Sequence, residues 1–125
     1  MRRFEQGAGL LLALAACAAA AADAPAAGDR ATLERGRALL AQYPCGSCHR
    51  IPGVPGADGR AGGMTAPLVD LARRSYIAGR VPMSADRLAR WIVKPQDLAP
   101  GTTMPALGVA PAEAAAMAAY LMSLR

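Results

Sequence analysis

The sequence predicts an all-α domain of short helices joined by loops, on three observations. Four segments carry helix start and stop signals. No segment alternates apolar and polar residues as a half-buried strand would, and there is no internal repeat. The composition is 54% hydrophobic but only 4% aromatic, with Ala supplying much of the apolar share. A small chain of that kind has little side-chain volume for a core and relies on a staple.

The 125 residues divide into three parts. Residues 1–17 read as an export signal: Met1-Arg2-Arg3 is a positive start, and Ala8 to Ala16 is an apolar run too short to span a bilayer. Leu14-Ala15-Ala16-Cys17 resembles a bacterial lipobox, whose Cys would be acylated and become the new N-terminus. The alternative is an ordinary cleaved signal, since Ala-x-Ala sites follow. Residues 18–28 are almost all Ala and read as a flexible tether. Residues 29–125 form the domain. The expected location is the periplasm, with a lipid anchor at Cys17 as the membrane attachment. The net charge of +5 falls to +4 once Arg2, Arg3 and Glu5 are removed, which leaves a mildly basic surface. Nothing in it asks for a nucleic-acid partner.

The first helix is expected from Asp29, its N-cap, to Gln42, where Tyr43-Pro44 ends it. Leu33, Ala38, Leu40 and Ala41 are expected to face the core. Gly36 is costly in a helix interior, so its use is close approach by another helix, and the last helix is the natural partner.

Cys45-Gly46-Ser47-Cys48-His49 follows at once. A C-x-x-C-H run reads as a c-type haem attachment site: each thiol can add to one vinyl group, and the imidazole reaches the iron. A thioredoxin-like pair would need a βαβ context, which is missing. Zinc would need further ligands, and the chain has one His and no second Cys pair. A disulfide would leave His49 unexplained. With Cys17 in the leader, all three Cys are accounted for, and a covalently held haem supplies both staple and core.

Ile51 to Gly63 is rich in Gly and Pro and reads as a long loop over one haem edge, with Ile51 and Val54 against the ring. Ala66 to Arg74 reads as a short helix with Pro67 in its first turn. Val81-Pro82-Met83 is a connector. The next helix has Ser84 as N-cap and runs to Val93, with Pro95 stopping it; Leu88, Trp91 and Ile92 form its buried face. Gln96 to Val109 is loop-like. The last helix runs from Pro111 to Leu124, with Met117, Tyr120, Leu121 and Leu124 on one face and Glu113 near its positive end.

His49 leaves one axial position of the iron to be filled, and no second His exists. Met117 and Met122 read as helix packing and Met83 as a packed residue beside a cap. Met104 is the leading candidate: Pro100 and Pro105 stiffen its loop, and a weak thioether ligand has to be held in place. Met64, in the Gly-rich loop, is the second candidate, and an iron with no Met ligand is the remaining alternative. A His/Met pair raises the reduction potential and suits electron transfer.

Taken together, Cys45 to His49, Pro67-Leu68, Trp91, Thr103-Met104-Pro105, the Gly36 helix and Ala118-Ala119-Tyr120-Leu121 resemble class I cytochrome c. The resemblance implies a cytochrome c fold, with N- and C-terminal helices crossing and short helices and loops around one covalent haem. It also implies a site. His49 and Met104 would ligate the iron, and Cys45 and Cys48 would hold haem c by thioethers. Pro67 would offer its carbonyl to the His49 ring N–H, and Trp91 would give its N–H to a propionate. Arg60, Arg73 and Tyr76 are candidate propionate neighbours. One departure touches Pro67: the family often has Gly-Pro before this Leu, where this chain reads Gly62-Gly63-Met64-Thr65-Ala66-Pro67-Leu68.

The expected function is one-electron transfer in a respiratory chain, by a carrier and not an enzyme. Its expected partners are redox proteins, among them acidic oxidase or dehydrogenase subunits that Arg73, Arg74, Arg80, Arg87, Arg90 and Lys94 would attract if they share a face. The alternatives are a haem subunit of a larger dehydrogenase or oxidase complex and a haem enzyme or gas binder with an open distal site.

Overall fold

The computed structural model describes residues 28–59 and 67–125. The leader, the tether up to Ala27, Arg60 and Met64 lie outside the described residues. Four α-helices dominate: α1 (Arg30–Gln42), α2 (Ala85–Val93), α3 (Pro95–Leu98) and α4 (Pro111–Ser123). No described helix is long and apolar enough to cross a membrane.

The first two long helices start where their caps predict. The Asp29 carboxylate accepts from the Thr32 amide at 2.7 Å, and Ser84 Oγ accepts from the Arg87 amide at 3.2 Å. Each satisfies an amide that the first turn leaves without a helical partner. At the start of α4, Pro111 fixes the first φ and Glu113 reaches back to the Ala110 amide.

α1 packs on α4 through Gly36. A Cβ at Gly36 would lie 2.0 Å from the Ala116 carbonyl oxygen, so only glycine allows the two backbones this close. The buried face of α1 is Gly36, Leu39 and Leu40; of the expected Leu33, Ala38, Leu40 and Ala41, Leu40 is buried, Leu33 is half-buried and both alanines are exposed. The contact with α4 sets that rotation, and Leu39 takes the inward position beside Gly36. α2 buries Leu88, Trp91 and Ile92 as its spacing requires. On α4 the buried side chains are Ala114, Ala116, Met117, Ala118 and Leu121, with Tyr120 and Leu124 half-buried. Met117 is fully enclosed and serves as core.

Three local expectations change. Of the helix expected over Ala66 to Arg74, the described residues from Pro67 onward form only a single 3₁₀ turn, Leu71–Arg73. Asp70 before it has φ 51°, a left-handed conformation that stops helical propagation. The segment expected to lack strands holds a small hairpin, β1 (Tyr76–Ile77) with β2 (Val81–Pro82), paired Tyr76 with Pro82 and Ile77 with Val81. Ala78 and Gly79 both have positive φ, as a primed turn requires, and the Arg80 amide donates to the Ile77 carbonyl. Pro95 does not simply end α2; after Lys94 it opens the one-turn α3.

Residues 51–59 fold back on the Cys-rich turn. The Ile51 amide donates to the Ala57 carbonyl at 3.0 Å, and the Gly59 amide to the Gly46 carbonyl at 3.1 Å. Gly46 is required by this contact, since a Cβ there would sit 2.5 Å from the Ala57 Cα. Ile51 and Val54 are buried in the core.

Candidate functional site

The turn that carries the motif is a 3₁₀ helix, Pro44–Ser47, with Pro44 at its first position. The Cys45 carbonyl accepts from both the Cys48 amide (3.2 Å) and the His49 amide (2.9 Å). With three residues per turn, side chains at i and i+3 eclipse, so Cys45 and Cys48 emerge along one edge. Both are half-buried thiols, not joined in a disulfide. Burial pushes the Cys45 thiol up from its ordinary value, and the neighbouring Cys48 adds to the rise.

These residues border a cavity of about 690 Å³, whose wall is completed by six other parts of the chain. Leu40 comes from α1, Leu68, Leu71 and Arg74 from the segment after the loop, and Tyr76 to Gly79 from the hairpin. α2 gives Leu88, Trp91 and Ile92; Thr102 to Pro105, Leu107 and Val109 come from the loop before α4; Leu121 comes from α4 itself. That size is typical of a small-molecule or cofactor site.

Of the residues expected at the site, Cys45, Cys48, His49, Trp91 and Met104 all line this one cavity. Pro67 is exposed and outside the wall, and its carbonyl accepts a hydrogen bond from Arg74. Ile51 and Val54 are buried elsewhere in the core and not on the wall. Of the expected propionate neighbours, Tyr76 lines the cavity and Arg73 does not. Arg74 does, half-buried and fixed by donating also to the Val69 carbonyl at 3.2 Å. Sequence reasoning had no signal to choose between adjacent arginines in a segment without helical periodicity.

The loop that presents Met104 is held at several points. The Thr102 amide donates to the Ala99 carbonyl at 3.1 Å, and Gln96 Nε2 donates to the Met104 carbonyl at 2.7 Å. Met104 itself is half-buried.

Haem fits this donor set. Two thiols and an imidazole share one wall of an apolar cavity, a thioether reaches the same cavity from another element, and Arg74, Thr102 and Thr103 provide polar groups for carboxylates. Among the described residues the wall contains no Asp or Glu that would repel the propionates. A bare metal site does not fit, because the described residues contain no group of three or more His, Cys, Asp or Glu able to hold a metal ion.

Comparison with known proteins agrees with this chemistry. The family model described as Cytochrome c matches residues 33–125. The chain is similar to cytochrome c oxidase subunit 2 of Alkalihalophilus pseudofirmus, 32% identical over 92 residues, which is 73% of this chain and 25% of that protein. The chain therefore spans about a quarter of the length of the curated relative it matches. No solved structure matches it.

Proposed function

The chain belongs to the cytochrome c family, whose members bind haem c covalently and transfer electrons, and from that premise we propose that it is a one-electron carrier with a closed His/Met site. The observation that carries this reading is the convergence of Cys45, Cys48, His49 and Met104 on one cavity whose wall, among the described residues, holds no carboxylate.

In this reading the Cys45 and Cys48 thiols would hold the group by thioethers, and His49 and Met104 would ligate its iron. The chemistry supplied by bound haem c is one-electron exchange at iron. The rest belongs to the protein. Leu40, Leu71, Leu88, Ile92 and Leu121 give the cavity an apolar lining that excludes water, Arg74 and Trp91 would hold the propionates, and the Met104 loop would close the site against small molecules. Pro67 orients His49 through its carbonyl, which Arg74 also engages.

The carrier acts in a respiratory chain in the periplasm, exported by residues 1–17 and tethered through Cys17. Its partners are acidic redox proteins, drawn to the exposed Arg87, Arg90 and Lys94, which recur along one side of α2. A second reading, a haem subunit of a larger oxidase or dehydrogenase complex, is favoured by the relative named for an oxidase subunit. Co-purification separates the two. The closed site is tested by exposing the reduced, haem-loaded protein to carbon monoxide. The spectrum stays unchanged if Met104 occupies the iron, and rapid complex formation contradicts the reading.

A further inference from the structure

Among the described residues, the backbone of Met104 has one short hydrogen bond from a side chain, and it comes from a residue with no part in the cavity wall. Gln96, the second residue of α3, is exposed, and its Nε2 donates to the Met104 carbonyl at 2.7 Å. The other side-chain contact to that backbone, from the Met104 amide to Thr102 Oγ1, is long at 3.4 Å. Pro105 follows and has no amide to donate. The bond closes a ladder from α3 to Met104: Pro95 carbonyl to Ala99 amide (2.9 Å), Ala99 carbonyl to Thr102 amide (3.1 Å), Met104 carbonyl to Gln96. α3 is one turn long, so the Gln96 side chain is what returns from that turn to the far end of the loop.

We propose that Gln96 is a positioning residue for the distal thioether: by fixing the Met104 carbonyl it holds the backbone from which the Met104 side chain reaches the iron. The proposal rests on the reading of Met104 as the distal ligand. A thioether binds weakly and competes with any ligand that enters when the loop opens, so a bond restraining the loop acts directly on that competition. Only a donor serves. A carboxylate of the same length would face the carbonyl oxygen with a second acceptor.

The experiment uses the full, haem-loaded ferric protein and imidazole as a competing ligand, with wild type, Gln96→Ala, Gln96→Glu and Met104→Ala side by side. Loss of one hydrogen bond is expected to raise imidazole affinity about three- to tenfold in both Gln96 variants, with the helix-unfolding midpoint unchanged. Unchanged affinity in both Gln96 variants overturns the proposal. So does a rise matched by a fall in the unfolding midpoint, which would mark a structural role only. If Met104→Ala keeps wild-type affinity and the sulfur-to-iron charge-transfer band, the reading of Met104 fails instead, a result separate from either of those.

Discussion

The Tyr43 hydroxyl donates to Glu113 Oε2 at 2.7 Å, across 70 residues of sequence. Tyr43 caps the C-terminus of α1 and immediately precedes the Pro44–Ser47 turn. Glu113 lies in the first turn of α4 and also receives the Ala110 amide. One side-chain bond thus fastens the motif turn to the start of the last helix, next to the place where α1 and α4 cross.

That bond gives a pH dependence with a defined sign. Hydrogen bonding to Glu113, with a smaller contribution from burial, raises the Tyr43 pKa above its ordinary value near 10. The neutral phenol is the form the fold favours. Its contribution is complete below a pH of about 10 and is lost as pH climbs through the higher folded value. Tyr43→Phe is expected to lower Tm by a few degrees at pH 8, and the gap to wild type is expected to narrow as the pH is raised through and beyond about 10. Thermal unfolding across an alkaline pH series checks it; a gap that does not narrow at any pH where the fold survives contradicts it.

Gly36→Ala tests the helix crossing by sign. In an exposed helix the change stabilises by about 0.8–1.0 kcal/mol. Here the added Cβ meets the Ala116 carbonyl oxygen at 2.0 Å, and a backbone atom cannot give way as a side chain can. A net loss of about 1–3 kcal/mol is expected from overpacking, measured by denaturant unfolding of the haem-loaded protein. A stabilised variant would mean that the helices do not cross at Gly36.

Partner docking is tested by charge. Arg87 and Arg90 are exposed on α2, while Lys94 is close to Asp97 at 3.7 Å. Arg87→Glu with Arg90→Glu is expected to lower the association rate with an acidic redox partner about tenfold at low salt. Wild-type electron transfer should slow steeply as salt rises. A flat wild-type salt response would mean that these residues are only a solvated face.

How much of this was legible in the sequence depends on whether the signal was local. Asp29 and Ser84 as caps, and Leu88, Trp91 and Ile92 as one face, were legible because capping and helical spacing are properties of a few adjacent residues. The use of Gly36 was legible because a helical glycine needs a reason. The inward turn of Leu39 in place of Ala38 and Ala41 was not, because the partner helix sets the rotation of α1. The helix expected over Ala66 to Arg74 failed at Asp70, whose left-handed φ no residue nearby announces. At the cavity, Cys45, Cys48, His49, Trp91 and Met104 could be named because motif and loop chemistry pick them out. Arg74 and Gln96 could not, because their roles arise from carbonyls that only the folded chain brings within reach.

In the proposed site His49 and Met104 would close the iron between them. The most direct test is the absorption spectrum of the ferric, haem-loaded protein beside that of Met104→Ala. A closed site gives a low-spin spectrum with a sulfur-to-iron charge-transfer band in the wild type, and loss of that band with conversion to an open, carbon monoxide-binding site in the variant. A high-spin wild-type spectrum, or a band that survives in Met104→Ala, would contradict it.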